Sequence, residues 1–263
     1  MRFSEFLDSR RSMAKALVTA LQKDFSYVSI LGADIKARSV RADRNTTSIS
    51  AGRDTECGFV VKMSNGGAFF EYSLDDISGD IAALAAKITA AFRLSPVMAG
   101  RTIRDIHLED QPLVQSFSRP GDLDRYSDRE LLEFCKAQRD ALLAKGDYIL
   151  NAMVALSSLE VSKLFISPNR ELDQHYTWVN GVLFAVCRET DKVVQVHEGA
   201  DAHLMETVLD KLPTRMDALL RKAHILTHAK PITPGMYDVI TDPSITGLIA
   251  HEAFGHGVEL DQF

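Results

Sequence analysis

The chain has 263 residues, 46% of them apolar and 25% charged, with a formal net charge of −6. That balance suits a soluble globular protein with a sizeable core, in one large domain or two ordinary ones. It argues against a protein that grips nucleic acid by its phosphates, because no window is dominated by Lys and Arg.

No stretch approaches the roughly 18 consecutive apolar residues of a membrane span. The charged N-terminus, Met1 to Arg11, has no apolar core of the kind a secretory signal needs. The three cysteines, Cys57, Cys135 and Cys187, lie far apart with no C-x-x-C spacing, which fits a reducing compartment and a cytoplasmic location. Cys135 and Cys187 fall in apolar periodic stretches and read as core, and Cys57 before a strand also reads as structural.

Residues 10 to 23 have the spacing of an amphipathic helix, with Met13, Leu17 and Leu21 on one face. Two short strands follow, Tyr27 to Leu31 and Ile35 to Ala42, the second carrying Arg38 and Arg41 on a solvated face, with Arg44 just beyond it. Phe59 to Met63 and Ala68 to Tyr72 flank Ser64-Asn65-Gly66-Gly67, the chemistry of a hairpin turn. A helix is expected from about Asp80 to Phe92. From Leu94 to Arg125 the periodicity fades among prolines and glycines, which predicts a linker.

Ser127 and Glu130 form a capping box that starts the next helix, and Gly146 can close it. Then come strands at Val161 to Ile166, Leu172 to Val179, Val182 to Arg188 and Val193 to His197. The turn signals between them are Pro168-Asn169, Asn180-Gly181 and Thr190-Asp191, so the segment reads as an antiparallel meander. His175 and His197 are expected on its wet face. A helix from about His203 to Ala223 closes the unit, and Pro213 should kink or split it. His224 and His228 can share a helix face, but with no carboxylate beside them in sequence they read as helix-terminal surface.

Pro231 to Gly235 reads as a turn, Met236 to Ile240 as a strand, and Asp242-Pro243 as a helix start. The apolar helix that follows delivers His251-Glu252-Ala253-Phe254-Gly255-His256. Two imidazoles and a carboxylate can hold a zinc ion and activate water, the familiar arrangement being H-E-x-x-H on one helix face. Here the histidines are five residues apart, about 500° around a regular helix, so they would point roughly 140° away from each other. An i→i+5 turn would bring them together. Gly255 and Gly257 tolerate a widened turn or a helix end, which predicts that the helix bulges or stops at Gly255. The apolar residues Ile245, Leu248, Ile249 and Ala250 would bury the motif.

Residues 234 to 243, Pro-Gly-Met-Tyr-Asp-Val-Ile-Thr-Asp-Pro, and Gly247 to Asp261, with the pattern HExxxHGxExD, resemble the metal-motif region of TldD/PmbA-family peptidases. The close match spans about 30 residues; the rest of the chain resembles the family only in layout. The resemblance implies that His251 and His256 bind zinc and that Glu252 is the general base. Glu259 and Asp261 match positions that orient or support the ligands. It also implies a third ligand, a cysteine, beyond Phe263, so that this chain alone would bind zinc weakly and hydrolyse peptides poorly or not at all. Further implications are a homodimer, or a heterodimer with a paralogue lacking the motif, and an extended peptide substrate added to a sheet edge.

The expected class is therefore α+β: an N-terminal subdomain over 1–95, a linker over 96–126, a strand meander with flanking helices over 127–228, and the start of a metallopeptidase domain over 229–263. The expected activity is zinc-dependent hydrolysis of unfolded or linear peptides, without nucleic acid or membrane as partners. The alternatives are a non-catalytic partner subunit of a TldD/PmbA-type complex and another zinc hydrolase such as an amidase.

Overall fold

The structure, a computed structural model, describes residues 2–52, 54–65, 69–94 and 111–259. In chain order its elements are α1 (Glu5–Leu21), β1 (Tyr27–Ala42), β2 (Thr47–Ser50), β3 (Glu56–Ser64), β4 (Phe69–Leu74), α2 (Ile81–Leu94) and β5 (Leu113–Arg119). Then come α3 (Asp128–Leu143), β6 (Ile149–Ile166), β7 (Arg170–Cys187), β8 (Val194–Ala202), α4 (Met205–Lys211), α5 (Met216–His228) and α6 (Pro243–Ala250). The class is α+β. The chain divides into two units, Met1–His228 and Ala229–Phe263.

Side-chain caps set several boundaries. α1 starts at Glu5, ahead of the expected Arg10, because the Ser4 hydroxyl accepts from the Leu7 N–H at 3.2 Å. α3 starts where the capping box requires: Glu130 N–H donates to Ser127 Oγ, and the Ser127 N–H donates back to Glu130 Oε2 at 2.8 Å. At Pro213 the expected long helix splits into α4, a 3-10 turn over Leu212–Arg215, and α5.

The first unit is built on an eight-stranded sheet ordered β4-β3-β1-β6-β7-β5, with β2 pairing β1 and β8 pairing β7. All pairs are antiparallel except β5 with β7, which run parallel. The two short strands expected between Tyr27 and Ala42 are one, because Gly32 to Asp34 continue the ladder to β3 on one side and β6 on the other. β6 likewise starts at Ile149 and not at Val161; its middle, Leu156-Ser-Ser-Leu159, carries too little apolar contrast to show the alternation.

Asn180-Gly181 is not a turn. Both residues lie inside the 18-residue β7. Asn180 Nδ2 donates to Asp201 Oδ1 at 2.8 Å across to β8. Gly181 is needed for space: a Cβ there would stand 2.6 Å from Val208 Cγ1 of α4. Pro168-Asn169 and Thr190-Asp191 do lie between consecutive strands. Ser64 and Asn65 close β3, but Gly66 and Gly67 of that expected turn lie outside the described residues. Of the expected linker, 95–110 lie outside them too, while Leu113–Arg119 forms β5.

Two apolar clusters occupy the same face of the sheet. α1 and α2 pack over one half, on Val28, Ile30, Phe59, Val61, Leu164 and Ile166. α3, α4 and α5 pack over the other, on Val40, Leu156, Val179 and Leu183 among others. Ile30 pairs with Ile166 and Val40 with Leu156, residues of one parity on each strand, so β1 and β6 serve both clusters. No helix among the described residues is long and apolar enough to cross a membrane.

The second unit holds α6 and the turns after it. Met236 to Ile240 is not a strand; it finds no ladder partner among the described residues, and Met236, Val239 and Ile240 are exposed. A strand's backbone groups need a neighbour, and apolar side chains alone do not supply one.

Candidate metal centre

The second unit assembles the motif from local rules. Asp242 caps α6, its Oδ1 accepting from the Ile245 N–H at 2.9 Å, and Pro243 occupies the first turn. From His251 the hydrogen bonding widens. His251–Gly255 is one π-helical turn in which the His256 N–H bonds the His251 carbonyl, and a 3-10 turn over His256–Val258 ends the helix. This is the i→i+5 turn that the five-residue spacing demands. Gly255 keeps ordinary helical dihedrals (φ −57°, ψ −53°), so the bulge comes from shifted hydrogen bonds and not from a glycine-only conformation.

The widened turn brings the His251 and His256 rings to a centroid separation of 4.7 Å, at 71° to each other. One donor atom from each of His251, Glu252 and His256 falls in a set whose members all lie within 4.8 Å of one another. Glu252 Oε2 is 3.7 Å from His256 Nε2. His256 Nδ1 lies 2.7 Å from Glu259 Oε1. A proton on Nδ1 satisfies that carboxylate and leaves the Nε2 lone pair free for a cation, the way carboxylates orient metal-binding histidines. The two imidazoles therefore fit a divalent transition metal, with the Glu252 carboxylate beside them. Asp261 lies outside the described residues.

Two expectations about surroundings do not hold. Ile245, Leu248 and Ile249 do not bury the motif: they are 48%, 53% and 53% exposed. Apolar composition places a residue inside only where another surface covers it, and α6 is a single helix. His175 is not on a wet face but buried, its Nδ1 3.2 Å from Ser162 Oγ.

No cysteine belongs to a compact donor group among the described residues. Cys135 and Cys187 are buried in the core, and burial pushes the Cys135 thiol up to about 12. Cys57 is exposed on β3; partial desolvation and the nearby Asp34 and Asp76 carboxylates raise its thiol, so it too stays protonated near neutral pH. Asp122 and Glu189 carried no signal in the sequence. Asp122 accepts from the first N–H groups of α4, and Glu189 meets His224 and His228; both meetings bridge distant parts of the chain.

No family model matches the sequence. A protein of Methanothermobacter thermautotrophicus named "Metalloprotease" is 28% identical over 244 residues, covering 87% of this chain and 50% of that protein. The chain thus spans about half the length of the curated relative it matches. Among solved structures, a proposed modulator of DNA gyrase from Bacteroides thetaiotaomicron superposes with a TM-score of 0.74 at 12% identity, over 94% of this chain and 57% of that one. TldE from Thermococcus kodakarensis does so with a TM-score of 0.52 at 12% identity, over 78% and 47%. The chain shares their fold. A second proposed gyrase modulator, from Thermotoga maritima, agrees at a TM-score of 0.58 and 12% identity over 86% and 50%. At such identities the likeness concerns the fold alone.

Proposed function

We propose that the chain carries the metal motif of a zinc-dependent peptidase, TldD-like, that acts on unfolded or linear peptides. The observation that supports this best is the π turn, which sets His251 and His256 side by side with Glu252 between them in sequence. The name of the Methanothermobacter relative points the same way.

In this reading His251 and His256 would hold the ion. Bound there, zinc would polarise a peptide carbonyl and lower the pKa of a water toward about 7. Glu252 accepts a proton from the attacking water and passes it to the leaving amine. Glu259 keeps the His256 ring turned, through the Nδ1 bond. A catalytic zinc usually takes three protein ligands, of which the motif supplies two. A cytoplasmic dimer, with itself or with a paralogue, completes the proposal.

The test compares the wild-type protein with Glu252→Gln, assaying zinc content and cleavage of an unstructured peptide set. The expected result is equal zinc in both and a loss of cleavage by roughly 10²–10⁴ in the variant. Cleavage at the same rate in both would overturn the role of Glu252. Turnover of small amides but not of peptides would favour an amidase.

A further inference from the structure

We propose that Glu189, His224 and His228 form a second site for a divalent transition-metal ion such as Zn²⁺ or Ni²⁺, within the first unit and independent of the HExxxH motif. The proposal does not rest on the peptidase reading. α5 presents His224 and His228 one turn apart, their ring centroids 4.4 Å from each other. Sequence alone leaves this pair without a carboxylate. The fold supplies one from the turn after β7: Glu189 Oε2 lies 2.6 Å from His224 Nδ1 and 3.8 Å from His228 Nδ1. One donor atom from each residue falls in a set spanning no more than 4.8 Å, the same compactness as the motif that follows α6.

All three residues lie at the surface, and the segment that carries Glu189 is fixed beside the helix. Thr190 Oγ1 donates to the Thr227 carbonyl at 3.1 Å, tying the turn after β7 to the last turn of α5. The Glu189 side chain is 20% exposed, against 62% and 49% for the two histidines. His228 Nδ1 is 2.9 Å from the His224 carbonyl, which can take its proton and leave Nε2 as the donor to a metal. A shallow groove of about 860 Å³, lined by Tyr148 and Leu220 as well as Glu189 and His224, leaves the site open to an entering ion. Arg188 and Arg221 also line it. Their charge opposes a hard cation held by electrostatics alone, whereas imidazole donors suit Zn²⁺, Ni²⁺ and Cu²⁺.

The experiment titrates Zn²⁺ against a chromophoric chelator into the full chain carrying H251A and H256A, which removes the motif site. One equivalent is expected to bind, weakened at least about tenfold by adding His224→Ala, His228→Ala or Glu189→Gln. All three are surface positions; circular dichroism checks that each variant is folded, and Glu189→Gln keeps the side-chain shape. A hydrogen-bonded His–Glu pair with no metal role predicts no zinc uptake by the H251A/H256A chain. That result, or uptake unchanged by H224A and H228A together, overturns the proposal.

Discussion

His175 shows at the scale of one residue what sequence conceals. Alternation along β7 fixes which residues share a face, but not that the face holding His175 is the covered one. The ring is 2% exposed, and its Nε2 has no partner among the described residues. Burial lowers its pKa below the usual 6.5, with Glu160 opposing and Lys36 adding to the effect. The unfolded chain therefore takes up a proton near pH 6.5, while the folded chain does so only at lower pH. Stability from the neutral ring is complete above about pH 6.5 and is lost as pH falls from there through the folded pKa. His175→Asn should flatten that dependence. Urea unfolding at about pH 7.5 and about pH 5.5 measures it; equal losses in wild type and variant would contradict the assignment.

Elements governed by adjacent residues were legible, and those governed by distant partners were not. The Ser127–Glu130 capping box and the Asp242-Pro243 start need only their neighbours in the chain, and both stand where the sequence puts them. The His251–His256 spacing works in the same way, since one helix satisfies it by widening a turn. Asn180-Gly181 carries turn chemistry, yet α4 crosses β7 at that point and the glycine serves the crossing. α4 also lacks a side-chain cap of its own, since Leu204 at its N-cap makes no such bond. Asp122, 7% exposed and 83 residues away from Met205, supplies it, with Oδ1 2.6 Å from the Met205 N–H and Oδ2 3.0 Å from the Glu206 N–H. Asp122→Ala should cost about 2 kcal/mol, the upper end for a lost cap because it frees two N–H groups, that of Met205 buried and that of Glu206 partly so. The denaturation midpoint reads this directly, and an unchanged midpoint would refute the capping role.

Across the whole molecule, the first unit is one sheet whose long strands β1 and β6 serve two apolar clusters, so the segments on either side of residues 95–110 share a single scaffold. The second unit carries the motif on the π and 3-10 turns that continue α6, with its donor side chains exposed. The central claim is that His251 and His256 hold a metal. It is tested most directly by equilibrium zinc binding to the chain carrying H224A and H228A, compared with the same chain also carrying H251A and H256A. One equivalent of zinc is expected in the first and none in the second. Equal binding in both, or none in either, would contradict it.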